Sequence, residues 1–232
     1  MSFYIPKYVL FISVLSTIPL LIGCSEDSGN TEQKGHDTCT PFVEVVAISP
    51  GWEIPANSSI ILVFDVAIAH AEINVSESAG DTRIRGDLAI WTPKIAMSQG
   101  AHILSVYAES VNLRMEKAVD FEFKAISPDN VQPRIDNTRS NPVNEATDVN
   151  PDDYQKELII AFTEPMLEAE AKSASPNLSL TGELRGFGHD LIHIELQNYR
   201  LASNTEFKFT VSGTDLAGNK LATTEYTFVT KR

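Results

Sequence analysis

Residues 207–211 read Phe-Lys-Phe-Thr-Val, so in an extended chain Phe207, Phe209 and Val211 project to one side and Lys208 and Thr210 to the other. That period of two suits a half-buried strand and excludes an amphipathic helix. Glu225 to Val229 repeats it with Tyr226 and Phe228 inward, and further apolar or alternating runs cover Phe42 to Ile48, Ser59 to Val66, Ala89 to Thr92, His102 to Ala108, Val119 to Ala125, Glu157 to Phe162, Leu178 to Thr181 and Leu191 to Leu196. Gly, Pro, Asn and Asp separate the runs, as turns require. The one expected exception is Pro165 to Ser173, where MLEAEAK reads as a short helical turn. The expected fold class is all-β.

The runs fall into two sets of similar order, spaced by about 100 residues. Ser59 to Asp65 corresponds to Lys156 to Thr163, Ala89 to Pro93 to Ile192 to Leu196, Gly100 to Val106 to Asn204 to Thr210, and Phe121 to Phe123 to Tyr226 to Phe228. A repeat of roughly 100 residues with about seven short strands has the size of an immunoglobulin-like sandwich. The expected organisation is two tandem β-sandwiches, residues 42–126 and 134–232. A proline-bracketed linker, residues 127–133, separates them and is expected to set the two modules end to end.

The second module resembles the bacterial Ig-like domains of S-layer proteins and cell-surface lipoproteins, the SbsA type. The resemblance rests on Asn141-Pro142 with Ala146-Thr147-Asp148-Val149, on Phe162-Thr163-Glu164-Pro165-Met166, on Leu201 to Phe207, on Asp215-Leu216-Ala217-Gly218-Asn219, and on Phe228-Val229-Thr230. The first module keeps Ile48-Ser49-Pro50, Phe64 and the Phe121/Phe123 strand. It has Asp65-Val66-Ala67-Ile68 in place of Glu-Pro-Met and lacks the Asp-x-x-Gly-Asn turn. The resemblance implies surface modules without catalysis.

At the other end, Lys7 precedes an apolar run from Tyr8 to Ile22 that closes in Leu21-Ile22-Gly23-Cys24. The run is about 15 residues, short of the roughly 20 that a bilayer core requires, so it reads as a secretory signal rather than a permanent span. The tetrapeptide resembles the bacterial lipoprotein signal, which implies cleavage after Gly23 and acylation of Cys24 with a diacylglyceryl thioether and an N-acyl chain such as palmitate. An ordinary signal with an incidental cysteine, or a short uncleaved anchor, is the alternative. Two or three chains on one residue would anchor stably, since each buried methylene contributes about 0.8 kcal/mol. Residues 1–23 are thus expected to be removed, and residues 24–41 to form a lipidated tether of polar residues spanning roughly 20 to 25 Å as a coil. The expected location is the cell membrane or outer membrane, on the exported side.

Only Cys24 and Cys39 are present, so lipidation would leave Cys39 an unpaired thiol or an intermolecular crosslink. The chain carries 18 Lys and Arg against 31 Asp and Glu, a formal charge of -13, without a basic patch interleaved with aromatics. Nucleic acid is excluded as a partner on that balance. The expected partners are the membrane, through the N-terminal lipid, and other envelope or surface proteins or glycans.

Each group that suggests chemistry has a structural alternative. Asp215, Gly218 and Asn219 read as a turn, with the aspartate accepting backbone amides and Gly218 and Asn219 at positive φ, rather than as a calcium site. Asp148, Asp152 and Asp153 make a denser acidic loop that offers oxygens to calcium, although no cofactor is the leading expectation. His189 and His193 are expected on one strand, about 13 Å apart and facing solvent, too far to share a metal. Trp91 is expected in the core. Trp52, behind Gly51 in a loop, is the candidate for stacking on a sugar. No serine, cysteine or carboxylate pair has a recognisable catalytic setting, so the catalytic set is empty and enzymatic activity is not expected. The reading is a lipid-anchored envelope protein with non-catalytic structural, adhesive or protein-interaction modules; the alternative is a carbohydrate-binding surface lipoprotein.

Overall fold

A computed structural model describes residues 43–49, 51–115, 118–154, 157–174, 181–185, 189–196 and 200–232. Leu21, Ile22, Gly23 and Cys24, the tether and Cys39 lie outside the described residues. Among those described, all regular elements are strands apart from a 3-10 turn at Pro151–Asp153.

Eight strands build the first sandwich: β1 (Val45–Ser49), β2 (Glu53–Pro55), β3 (Ile60–Phe64), β4 (His70–Val75), β5 (Gly80–Arg85), β6 (Leu88–Pro93), β7 (Gly100–Glu109) and β8 (Val119–Ile126). One sheet runs β1-β3-β6-β5 and the other β2-β8-β7-β4. All neighbours are antiparallel except β2 and β8. In immunoglobulin lettering this is A-B-E-D against A′-G-F-C, the Ig-like order. The alternation in β7 buries His102, which stacks on Phe123 of β8, and turns Leu104, Val106 and Ala108 into the core that also holds Ile60, Leu62, Phe64, Ala89 and Trp91 of the facing sheet.

The second sandwich contains β9 (Ala146–Val149), β10 (Glu157–Ala161), β11 (Met166–Ser173), β12 (Thr181–Arg185), β13 (Leu191–Glu195), β14 (Glu206–Asp215) and β15 (Thr224–Thr230). Its order is β10-β13-β12-β11-β14-β15-β9, with β15 and β9 parallel. Bridges from Ile135 to Phe162 and from Asn141 to Ile159 lay the preceding segment beside β10 in the place of strand A. The order is again A-B-E-D and C-F-G-A′. Here β12 pairs with both β11 and β13 and joins the two layers, whereas among the described residues the equivalent β5 pairs with β6 alone. The protein is therefore all-β, with two Ig-like sandwiches in tandem. The segments that correspond at about 100 residues are topological equivalents: β3 and β10, β6 and β13, β7 and β14, β8 and β15.

The expected helical turn over Pro165 to Ser173 is instead β11. Glu, Ala and Lys favour helix in isolation, but pairing with both β12 and β14 outweighs that propensity, and Met166 and Ala171 are buried. Of the expected strand Leu178 to Thr181, only Thr181 is described, as the first residue of β12.

The expected end-to-end arrangement is also corrected. All five residues of β3 are buried, although only Ile60, Leu62 and Phe64 face the first core. Ile61 and Ile90 point out of the opposite face of that sheet and form a separate apolar cluster with Leu216 of the second sandwich, flanked by Leu88 and Leu167. The second sandwich thus rests against the outer face of the β1-β3-β6-β5 sheet. Burying three such side chains favours this placement by about 1.5–3 kcal/mol each.

Candidate functional site

The turn after β14 is closed by Asp215, whose Oδ1 accepts the amides of Ala217 (2.9 Å) and Asn219 (2.8 Å) and whose Oδ2 accepts the Asn219 side-chain amide (2.9 Å). The Asp215 amide donates to the Asn219 carbonyl at 3.0 Å. Gly218 takes φ +91°, but Asn219 does not share the positive φ expected for it. The turn satisfies its own backbone and so projects Leu216 as an apolar tip onto Ile61 and Ile90. The Ser59 amide donates to the Leu216 carbonyl at 2.6 Å, fixing the tip to the start of β3.

The linker is secured at the same place. Asn57 of the first sandwich reads the Asp129 backbone twice, donating to its carbonyl (2.8 Å) and accepting its amide (2.9 Å). Asn219 of the second sandwich donates to that same carbonyl at 3.3 Å. These bonds bring the Asp129 carboxylate to Asp215 and to Glu164, which lies in the loop between β10 and β11. One carboxylate oxygen from each of the three lies within 4.8 Å of the others.

Two negative charges at that separation repel by roughly 3 kcal/mol at an effective dielectric near 20, more than the 1.36 kcal/mol that moves a pKa by one unit. The cluster therefore favours a retained proton. Burial, then the Asp129 and Asp215 charges and a hydrogen bond with Asp129, push the Glu164 carboxyl up to about 8. Burial also raises Asp215, against the opposing hydrogen bonds from Asn219 and Ala217. Chemically the trio can share a proton, and its oxygens are of the type hard cations accept. Asp215 already accepts three N–H donors, which reduces what it has left for a metal.

The sequence-derived candidates lie elsewhere or play other parts. Asp148 is exposed at φ +58°, Asp152 pairs with Arg200 at 2.5 Å, and Asp153 Oδ1 accepts the Asn150 side-chain amide at 3.0 Å. Among the described residues these three do not gather into one acidic cluster as Asp129, Glu164 and Asp215 do. Trp52 is half-exposed just before β2, with its carbonyl accepting the Lys124 amide at 2.7 Å, while Trp91 is core. His193 lies on β13 with Nδ1 2.8 Å from Glu157.

His189 departs from expectation, because it precedes β13, sits at φ +50° and is 8% exposed. Its Nδ1 is buried without a hydrogen-bond partner. Burial lowers its pKa, helped by Arg85 of the first sandwich and opposed by Asp190 and Asp87. Beside it, Arg139 holds Asp190 (2.5 Å), Asp136 (2.8 Å) and the Phe162 carbonyl. Sequence reasoning missed Asp129, Glu164 and Arg139 and misplaced His189, since each gains its meaning from neighbours distant in the chain. The nearest local signal was the Glu164 segment, which entered only as part of a motif.

Neither the family models nor the curated protein sequences give a match to this chain. Among solved structures, the chain is similar to the endo-fucoidan hydrolase MfFcnA9 from glycoside hydrolase family 107, at 12% identity over 76% of this chain and 32% of that one, TM-score 0.32. It is also similar to domains 4–9 of surface layer protein SbsC, at 8% identity over 81% of this chain and 32% of that one, TM-score 0.32. The fibronectin(III)-like modules of Clostridium thermocellum CbhA share 12% identity over 82% of this chain and 94% of theirs, TM-score 0.26. The chain thus spans about a third of the hydrolase and S-layer chains. At these TM-scores the Ig-like assignment rests on strand order within the chain itself.

Proposed function

We propose that this chain is a lipid-anchored cell-envelope protein, held by acylated Cys24 and a polar tether, whose two Ig-like sandwiches act as a non-catalytic structural or adhesive unit that contacts other envelope proteins. The observation that carries the reading is the mutual docking of the sandwiches through Leu216, Ser59 and the Asn57–Asp129 bonds. Such docking presents the pair as one block to a partner. The lipobox-like Leu21 to Cys24 supports the anchor.

Intact mass and membrane fractionation of the native protein beside Cys24→Ser test the address. The expected result is a membrane-bound chain beginning at Cys24 with acyl mass, released by the substitution. An unlipidated, freely released wild type refutes it. Crosslinking on intact cells tests the role: specific envelope-protein adducts that disappear with the released form are expected, and adducts indifferent to anchoring count against it.

Carbohydrate binding is the second reading, favoured by the 52% exposure of Trp52, an indole available for stacking. Quenching of Trp52 fluorescence by a glycan, lost in Trp52→Ala, would support it; unchanged emission across a broad panel would end it.

A further inference from the structure

The joint between the sandwiches has two kinds of bond. One is apolar and indifferent to pH, Leu216 against Ile61 and Ile90. The other runs through Asp129, whose backbone is shared by Asn57 of the first sandwich and Asn219 of the second while its carboxylate meets Glu164 and Asp215. Glu164 and Asp215 both belong to the second sandwich and Asp129 to the linker. Repulsion within the trio is therefore relieved by moving the linker, and with it Asn57 and the first sandwich, away from the second.

We infer that the joint is a proton-operated clasp: a proton shared between Glu164 and Asp129 holds the linker to the second sandwich, and its loss weakens the docking of the two sandwiches. The groups facing Glu164 are Asp129 from the linker and Asp215 from β14, both acidic. The sign follows from linkage. Glu164 titrates at about 8 when docked and lower once the Asp129 carboxylate has moved away, so its contribution to docking is fully present below the undocked value, weakens as pH rises between the two values and levels off above about 8. Asp215, raised in the docked form, acts in the same direction. Each pH unit inside the window lowers the docking constant by up to about tenfold.

The test is methyl NMR of the full chain in detergent with chelator present, following the Ile61 methyl shift and the Ile61–Leu216 NOE from pH 4.5 to 9. Ile192 and Ile194, in the second core, report unfolding separately. Leu216→Ala weakens the apolar bond and brings the equilibrium into range should the wild type stay docked throughout. Expected is a progressive loss of the docked Ile61 signal up to about pH 8, with Ile192 and Ile194 unmoved, and a clearly smaller pH response, lost near pH 8 first, once Glu164→Gln is added. A pH-independent Ile61 signal in Leu216→Ala, or a response that survives Glu164→Gln unchanged, overturns the clasp.

Discussion

Leu216, at the tip of the turn after β14, packs on Ile61, which points away from the first sandwich's own core. Because Ile61 is 0% exposed and Leu216 5%, both side chains belong to an interior made by two sandwiches and absent from either alone.

Truncating the tip should therefore loosen the pair without unfolding either module. Leu216→Ala is expected to cost about 2 kcal/mol, the low end for a buried leucine because the site can relax. Urea unfolding of the full chain should show a lower midpoint or a split transition. An unchanged midpoint would mean the contact adds nothing to stability.

Gly80 lies over the Trp91 indole so closely that a Cβ would overlap the ring, and Gly182 stands in the same relation to Ile192 in the second sandwich. Neither position carries a positive φ, so the constraint is space alone. Gly80→Ala should destabilise by about 1–3 kcal/mol, as overpacking does. Near-UV circular dichroism of Trp91 should change with it.

Removing the Asp215 side chain strands the amides of Ala217 and Asn219, both part-buried. Asp215→Ala is expected to cost about 1–3 kcal/mol. Asp215→Asn keeps an acceptor and should cost less. It also removes one of the charges that raise Glu164, so the Glu164 carboxyl, followed by carbon-13 NMR, should titrate below its wild-type value.

His189 gives the opposite pH dependence from Glu164. Its lowered native pKa means the unfolded chain takes up a proton first, so its contribution is fully present above 6.5 and is lost as pH falls through the native value. Comparing wild type with His189→Leu at pH 5 and pH 7.5 isolates this. The stability difference between the two proteins should shift in favour of the leucine form at pH 5, and an identical difference at both values would rule the histidine out as the source.

Much of this was legible in the chain. Alternation in residues 207–211 and 225–229 named two strands, and the offset of about 100 residues paired the equivalents of two sandwiches, because a period of two is a local property of extended chains. β11 was misread because Met166 to Lys172 has helix-forming composition, and only its neighbours β12 and β14 make it a strand. His189 was misplaced for a similar reason: its burial, and the charges of Arg85 and Asp87 that act on it across the joint, are set by tertiary packing.

By itself the sequence determined the all-β class, the doubling of one strand order, the acidic surface balance and the lipobox-like Leu21 to Cys24, all of which follow from composition and short-range period. Only the tertiary structure decided that the sandwiches dock face to tip and that Asp129, Glu164 and Asp215 share one place. The physical reason is range: side-chain alternation is set by adjacent residues, whereas electrostatics and apolar burial depend on which distant surfaces meet, and that is settled by folding.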